Sequence, residues 1–195
     1  YILQYCTELQ SDCFGLSRNK PPIRIGIPPM LSTVFFPELL TAFQKEYPDV
    51  PVMLEEYASV RACNLVQNDS LDLALVNMEQ YNIDKFHHAL LANDQVVFCV
   101  SKEHPLVRKE EATIQDMAQI PLIFFNGDSV QNQLLKIRFE LEGFTPHVLM
   151  HNSQIYTTLQ FLKNNNCGCF LYSSMTDKFP DIVQLPLKPP LFIKI

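Results

Sequence analysis

The sequence has no apolar run long enough to cross a bilayer. Its longest uninterrupted stretches, such as Val96–Val100 and Leu122–Phe125, fall far short of the roughly 20 residues a spanning helix needs. The start, Tyr1-Ile2-Leu3-Gln4-Tyr5, lacks the basic region and long apolar core of a secretory leader. Positive charge is equally sparse. Fifteen Lys and Arg stand against 21 Asp and Glu, for a formal charge of -6, and no basic cluster exceeds three residues. Nucleic-acid binding needs a concentrated positive face, so this chain by itself is expected to bind DNA poorly. Charged residues make up only 18% and apolar residues 47% of the 195, which argues for a packed core and against disorder.

Catalytic signatures are missing too. There is no Gly-x-Ser-x-Gly elbow, phosphate loop or dinucleotide fingerprint. Glu55 and Glu56 are neighbours on an expected strand and so face opposite ways. His147 and His151 lie four apart on an expected strand, roughly 13 Å from each other, too far to share a metal. His87-His88 likewise point apart if extended. Cys167-Gly168-Cys169 has no second pair to complete a zinc site. No metal, cofactor or catalytic residue is expected. The six cysteines also include Cys6, Cys13, Cys63 in a helical pattern and Cys99 in an apolar strand run. That placement favours reduced, core-packing thiols and a cytoplasmic setting over disulfides.

What the sequence does carry is alternation of strand and helix signals. Residues 1–17 repeat apolar positions at helical spacing and predict a short helix, followed by a linker to residue 21. Ile23–Ile27 predicts a strand, and Pro28-Pro29 an extended turn. Phe35, Phe36, Leu39, Leu40, Phe43 and Tyr47 predict a helix stopped at Tyr47-Pro48-Asp49. Val52–Glu56 predicts a second strand, Ser59 an N-cap for the helix Val60–Gln67, and Leu71–Val76 a third strand. A second unit comes after it: a buried strand at 96–101, a short helix capped by Thr113, a strand at Leu122–Phe125, a loop at 126–129 and a helix ending at Gly143. Then come a strand at His147–Met150, a helix Gln154–Lys163 capped by Ser153, a strand at Cys169–Tyr172, and late strands Ile182–Leu187 and Leu191–Ile195. Two βα units in series predict an α/β fold with mainly parallel sheets and right-handed crossovers.

Several segments resemble, in order and spacing, the effector-binding domain of LysR-type transcriptional regulators. They are Ile25-Gly26, Pro37, Phe43, Tyr47-Pro48-Asp49-Val50, Leu71-Asp72-Leu73-Ala74-Leu75, Ser101–Leu106, Leu141–Pro146 and His151–Leu162. The resemblance spans about residues 22–195. It implies a two-lobed periplasmic-binding-protein-like (type 2) fold joined by two crossover strands: lobe I at 22–93 plus 186–195, lobe II at 94–185. A small-molecule effector would sit in the cleft between them. It further implies a homodimer or tetramer, with the helix Thr33–Glu46 and strand 52–56 of one copy against the helix near 131–142 of another. DNA would be contacted only through an N-terminal winged helix-turn-helix outside this chain, of whose linker residues 1–17 would be the tail. No membrane partner is implied.

Candidate effector contacts under this resemblance are Pro29, Met30, Ser32, Ser59, Asn77 and Met78 from the first lobe. From the second come Asn126, Gly127, Asp128, Ser129, Asn152, Ser153 and Ser173. Each has a plainer reading as core, cap or turn. The family often places Ser or Thr two and four residues after the first-strand glycine; here those places hold Pro28 and Met30, which argues against a carboxylate effector. Asp128 would favour an amine or hydroxyl. Ser173 stands where the family usually has Pro, and Asn166 where it usually has Gly, a change Asn tolerates. The peroxide-sensing branch keeps reactive Cys in the stretch matching 126–143, where this sequence has none. A solute-binding protein or an enzyme on the same fold are the rival readings.

Overall fold

The computed structural model describes residues 20–79, 82–126, 129–176 and 178–195. The expected helix at 1–17, with Cys6 and Cys13, lies outside them. Three parallel strands form the first sheet, in the order β2-β1-β3: β1 (Ile23–Ile27), β2 (Val52–Glu56) and β3 (Leu73–Ala74). β3 is shorter than the expected 71–76: Leu73 and Ala74 lie opposite Ile25 and Gly26, with the flanking Asp72 and Leu75 N–H groups donating to Arg24 O and Gly26 O. Just before it, Asp72 takes hydrogen bonds from the Arg24 backbone (2.7 Å) and guanidinium (2.8 and 3.2 Å), which ties the two strands at their entry. The guanidinium beside it holds the Asp72 carboxyl down at about 2.

The helix expected from Phe35 onward is present as α2 (Phe36–Glu46), and a further helix, α1 (Pro29–Val34), precedes it where an extended turn was expected. Pro28-Pro29 is therefore not only a turn. Pro29 opens α1, where its fixed φ suits the first helical position and its missing N–H costs nothing. α1 buries Met30, Leu31 and Val34, whereas α2 buries no residue. α3 (Ser59–Gln67) packs Ala62 and Cys63 inward.

The second sheet has six strands, in the order β5-β9-β4-β8-β6-β7. These are β4 (Asn93–Ser101), β5 (Ala112–Thr113), β6 (Leu122–Phe124), β7 (Val148–His151), β8 (Gly168–Tyr172) and β9 (Ile182–Lys194). Pairing is parallel for β6 with β7 and β8 and for β5 with β9, and antiparallel for β4 with β8 and β9. The two late strands expected around Pro189-Pro190 are one continuous β9. It runs against β4 in two stretches: Asn93–Val96 faces Lys194–Leu191, and Val97–Ser101 faces Pro186–Ile182. Between them the register jumps. Leu187 and Lys188 pair instead with Ala112 and Thr113 of β5, and the carbonyls of Pro189 and Pro190 accept from Arg138. Prolines lack the donor a central strand uses, so the jump and a guanidinium accommodate them.

Helices α4 (Ile114–Ala118), α5 (Val130–Leu141), α6 (Ile155–Asn164) and α7 (Ser173–Thr176) accompany this sheet. Thr113 caps α4 as expected, in a full capping box with Asp116. α5 ends in a Schellman arrangement: Phe144 N–H donates to Phe139 O and Gly143 N–H to Glu140 O, with Gly143 at φ +76. Two expected caps are not caps. The N-cap of α3 is Ala58, so Ser59 is already in the helix; the N-cap of α6 is Gln154, so Ser153 lies one residue outside it. The core is centred on β4 and β8, where Phe98, Phe170 and Phe124 stack in tilted and edge-on pairs with centroids 5.4 and 5.5 Å apart. Cys63, Cys99, Cys167 and Cys169 are free and buried within these layers. Burial pushes the Cys167 thiol up to about 11, and a hydrogen bond with Cys99 together with burial raises that of Cys169, so both stay protonated.

Candidate functional site

The carboxyl ends of strands from both sheets meet at one cleft of about 270 Å³. β1 delivers Pro28, Pro29 and Met30; β2 delivers Glu56 and Tyr57; the turn after β3 delivers Asn77. From the other sheet come Phe125 and Asn126 after β6, Ser153 after β7 and Tyr172 at the end of β8. The N-termini of α3 and α5 also open onto the cleft, through Ser59 and through Ser129, Val130 and Gln131. Neither helix has a side-chain cap, so their first-turn N–H groups carry partial positive charge toward the cavity.

Of the residues expected at the site, the structure brings together Pro29, Met30, Ser59, Asn77, Asn126, Ser129 and Ser153. Gly127 and Asp128 lie outside the described residues. Four others are not on its wall. Ser32 Oγ lies 2.8 Å from Pro29 O and 2.9 Å from Glu56 Oε1, and its one proton supports the wall from behind. Asn152 is occupied by Gln154 and Thr158 (3.0 and 3.1 Å), and Ser173 Oγ by Gln184 Oε1 (3.1 Å). Met78 lines a different cavity of about 440 Å³, with Cys63, Val66, Phe86 and Ile195. The three polar residues are diverted for one reason: a short polar side chain bonds a partner already in reach before it serves a cavity.

Sequence reasoning missed Glu56, Tyr57, Arg61, Phe125, Gln131 and Tyr172. Tyr57 and Arg61 flank Ser59, and Tyr172 ends a strand, so the rule that ligands sit beyond strand carboxyl ends was enough to find them. Gln131 had no such signal, because a Gln in an amphipathic helix reads as solvent-facing.

The polar wall is held rigidly. Ser59 Oγ accepts from Asn77 N–H at 3.0 Å, and Asn77 Oδ1 accepts from Glu79 N–H at 3.0 Å. Gln131 Nε2 donates to Phe170 O at 3.1 Å. Asn132 holds the strand-to-helix loop: its Oδ1 accepts from Phe125 N–H (3.3 Å), and its Nδ2 donates to Phe125 O (2.5 Å) and lies 3.3 Å from Asn126 O. Burial pushes the Tyr172 phenol up, an effect the nearby Asn77 amide partly offsets. Tyr172 is therefore a neutral hydroxyl. Among the described residues, the charges on the wall lie at the exposed rim, where Arg61 lies over the Tyr57 ring at 4.8 Å and Glu56 meets Ser32. Among the described residues no group of three or more His, Cys, Asp or Glu could hold a metal ion, and no helix is long and apolar enough to cross a membrane.

A family model for the LysR substrate binding domain matches residues 17–193. Two similar proteins are from Bacillus subtilis (strain 168). The uncharacterized HTH-type transcriptional regulator YwbI is 32% identical over 136 residues, 70% of this chain and 45% of that protein. The transcriptional dual regulator GltC is 24% identical, over 68% and 44%. The chain thus spans under half the length of these relatives. Among solved structures, the effector binding domain of QuiR in complex with shikimate superposes with a TM-score of 0.73 at 18% identity, covering 89% of this chain and 86% of that one. Full-length BenM (E226K mutant) gives 0.73 at 15%, covering 100% and 67%. These likenesses establish the two-lobed, type 2 periplasmic-binding-protein-like fold. With a matching model across nearly all its length, the chain belongs to the LysR substrate-binding domain family.

Proposed function

We propose that this chain is the small-molecule-sensing domain of a LysR-type transcriptional regulator, with lobe I at 22–93 plus 186–195 and lobe II at 94–185, and no chemistry of its own. The observation that carries the reading is the cleft itself: two sheets contribute their strand ends and two uncapped helix N-termini to one volume. The effector contacts are then Pro29, Met30, Ser59, Asn77, Asn126, Ser129 and Ser153, joined by Tyr57, Gln131 and Tyr172. Binding biases two arrangements of the lobes, and the DNA-binding part, outside this chain, responds. The acidic balance of the domain fits a division in which it does not itself touch DNA.

The test is the intact mass of the protein from its source cells, with its N-terminal peptide identified. The expected result is a longer chain with a helix-turn-helix ahead of residue 1. A chain processed just before residue 1 after an apolar leader would overturn the regulator and favour a solute-binding protein.

The same reading includes a head-to-tail homodimer, the unit from which a tetramer is built. α2 buries none of its residues, β2 is an edge strand exposing Met53 and Leu54, and α5 exposes Ile137 and Leu141. Apolar surface on these elements suits a partner subunit. Sedimentation of the purified domain is expected to give twice the chain mass, and Leu54→Asp to shift it to monomer; a wild-type monomer at high concentration would rule the dimer out.

A further inference from the structure

Two buried side-chain atoms on the cleft residues have no hydrogen-bond partner among the described residues: Asn77 Nδ2 and Gln131 Oε1. Both side chains are nearly inaccessible, at 2% and 1% exposure. They come from opposite walls, Asn77 from beyond β3 and Gln131 from the first turn of α5. Their polarity is fixed by their other ends. Asn77 Oδ1 is committed to Glu79 N–H, so the free end is a donor; Gln131 Nε2 is committed to Phe170 O, so the free end is an acceptor. The Asn77 amide holds the Tyr172 phenol lower than burial alone would, but among the described residues no acceptor meets hydrogen-bond geometry with Asn77 Nδ2. A buried polar atom left unpaired is costly, and native proteins keep few of them.

We propose that the cleft selects a small, flat, uncharged molecule with an amide-type edge, such as a carboxamide, a lactam or a nucleobase-like ring. Its carbonyl oxygen accepts from Asn77 Nδ2, and its N–H donates to Gln131 Oε1. The inference rests on the reading of this cleft as an effector site and names what that site takes. Both orphan atoms are sealed from solvent in the structure, so the proposed contact requires the walls to part as the ligand enters. The remaining surroundings suit such a molecule. Tyr57, Phe125 and Tyr172 offer ring faces and edges, and the first-turn N–H groups of α3 and α5 add to the acceptor side. Among the described residues the charges on the wall, Glu56 and Arg61, are opposite in sign and exposed at the rim. A donor-free anion would set a carboxylate oxygen against Gln131 Oε1 and leave that acceptor unpaired. Matched ligands with and without the donor should therefore differ by on the order of tenfold to a hundredfold in affinity.

The experiment titrates the 15N-labelled chain with benzamide and, separately, benzoate, which share a ring and differ in the donor and the charge. Side-chain amide signals of Asn77 and Gln131 report the contacts. Benzamide is expected to shift both signals and to bind about tenfold tighter than benzoate or better. Gln131→Met should erase that preference. Asn77→Ser, altered at the opposite wall, should weaken benzamide in the same way and serves if the first variant does not fold. Benzoate binding in the cleft as tightly as benzamide would overturn the donor–acceptor pair while leaving the cleft an effector site. Shifts from both compounds confined to residues outside the cleft would overturn both readings. No binding by benzamide at its solubility limit overturns the proposal.

Discussion

Replacing Phe98 by alanine is expected to lower the unfolding free energy by about 3–5 kcal/mol, the range for deleting a buried aromatic ring. Phe98 is fully buried in β4. Its ring lies over the bare backbone of Gly168; a Cβ there would come within 2.1 Å of Phe98 Cζ. Opposite it in the antiparallel register is Phe170, which in turn meets Phe124 edge-on. Removing the ring leaves a cavity bounded by strands that cannot close over it, since three more strands lie beyond β4 on one side and two on the other. The measurement is the urea midpoint with the slope unchanged. A loss below about 1 kcal/mol would mean that the site collapses freely and that the aromatic stack is not the centre of the core.

The second large effect concerns the cleft. Asn132→Leu keeps the volume of a 1%-exposed residue but removes its bonds to Phe125 N–H and O and its approach to Asn126 O. Phe125 O keeps the His151 Nδ1 contact at 2.9 Å, whereas Phe125 N–H loses a partner in a buried position. The expected cost is about 1–3 kcal/mol for that orphaned donor. The sharper readout is local: hydrogen exchange at the Phe125 amide should accelerate more than exchange at the Phe98 amide, because the loop loses its clamp while the sheet does not. Uniform acceleration across both would show that Asn132 supports only global stability and does not set the cleft wall.

The layout of strands and helices was legible wherever one physical signal acted alone. Ile23–Ile27 and Val52–Glu56 alternate or run apolar, and both are strands with the expected bounds. Thr113 and Asp116 are spaced for a capping box and form one. Gly143 stands where a helix needs positive φ and takes it. Reading failed where two signals competed. Pro28-Pro29 breaks a helix from inside but opens one from its start, and the choice depends on how the residues after it pack. Ser59 and Ser153 are cap residues by type. The Ser59 hydroxyl instead serves a distant N–H from Asn77, a contact decided only by tertiary folding. The strand-end rule found much of the candidate cleft. It did not find Gln131, whose bond to Phe170 O joins residues 39 apart, nor distinguish Met78, which faces a different cavity from its neighbour Asn77.

The order of strands also bears on how the domain is made. β9 leaves the ribosome after every other described strand, yet it sits inside the six-stranded sheet, between β5 and β4. It pairs Ile182 with Ser101 and Lys194 with Asn93, so each contact spans a large part of the sequence. Until it emerges, β4 presents an open, apolar edge and β5 has no partner in the sheet. The larger sheet therefore cannot close until β9 has emerged, and the nascent chain is exposed to edge-to-edge association from the emergence of β4 until then.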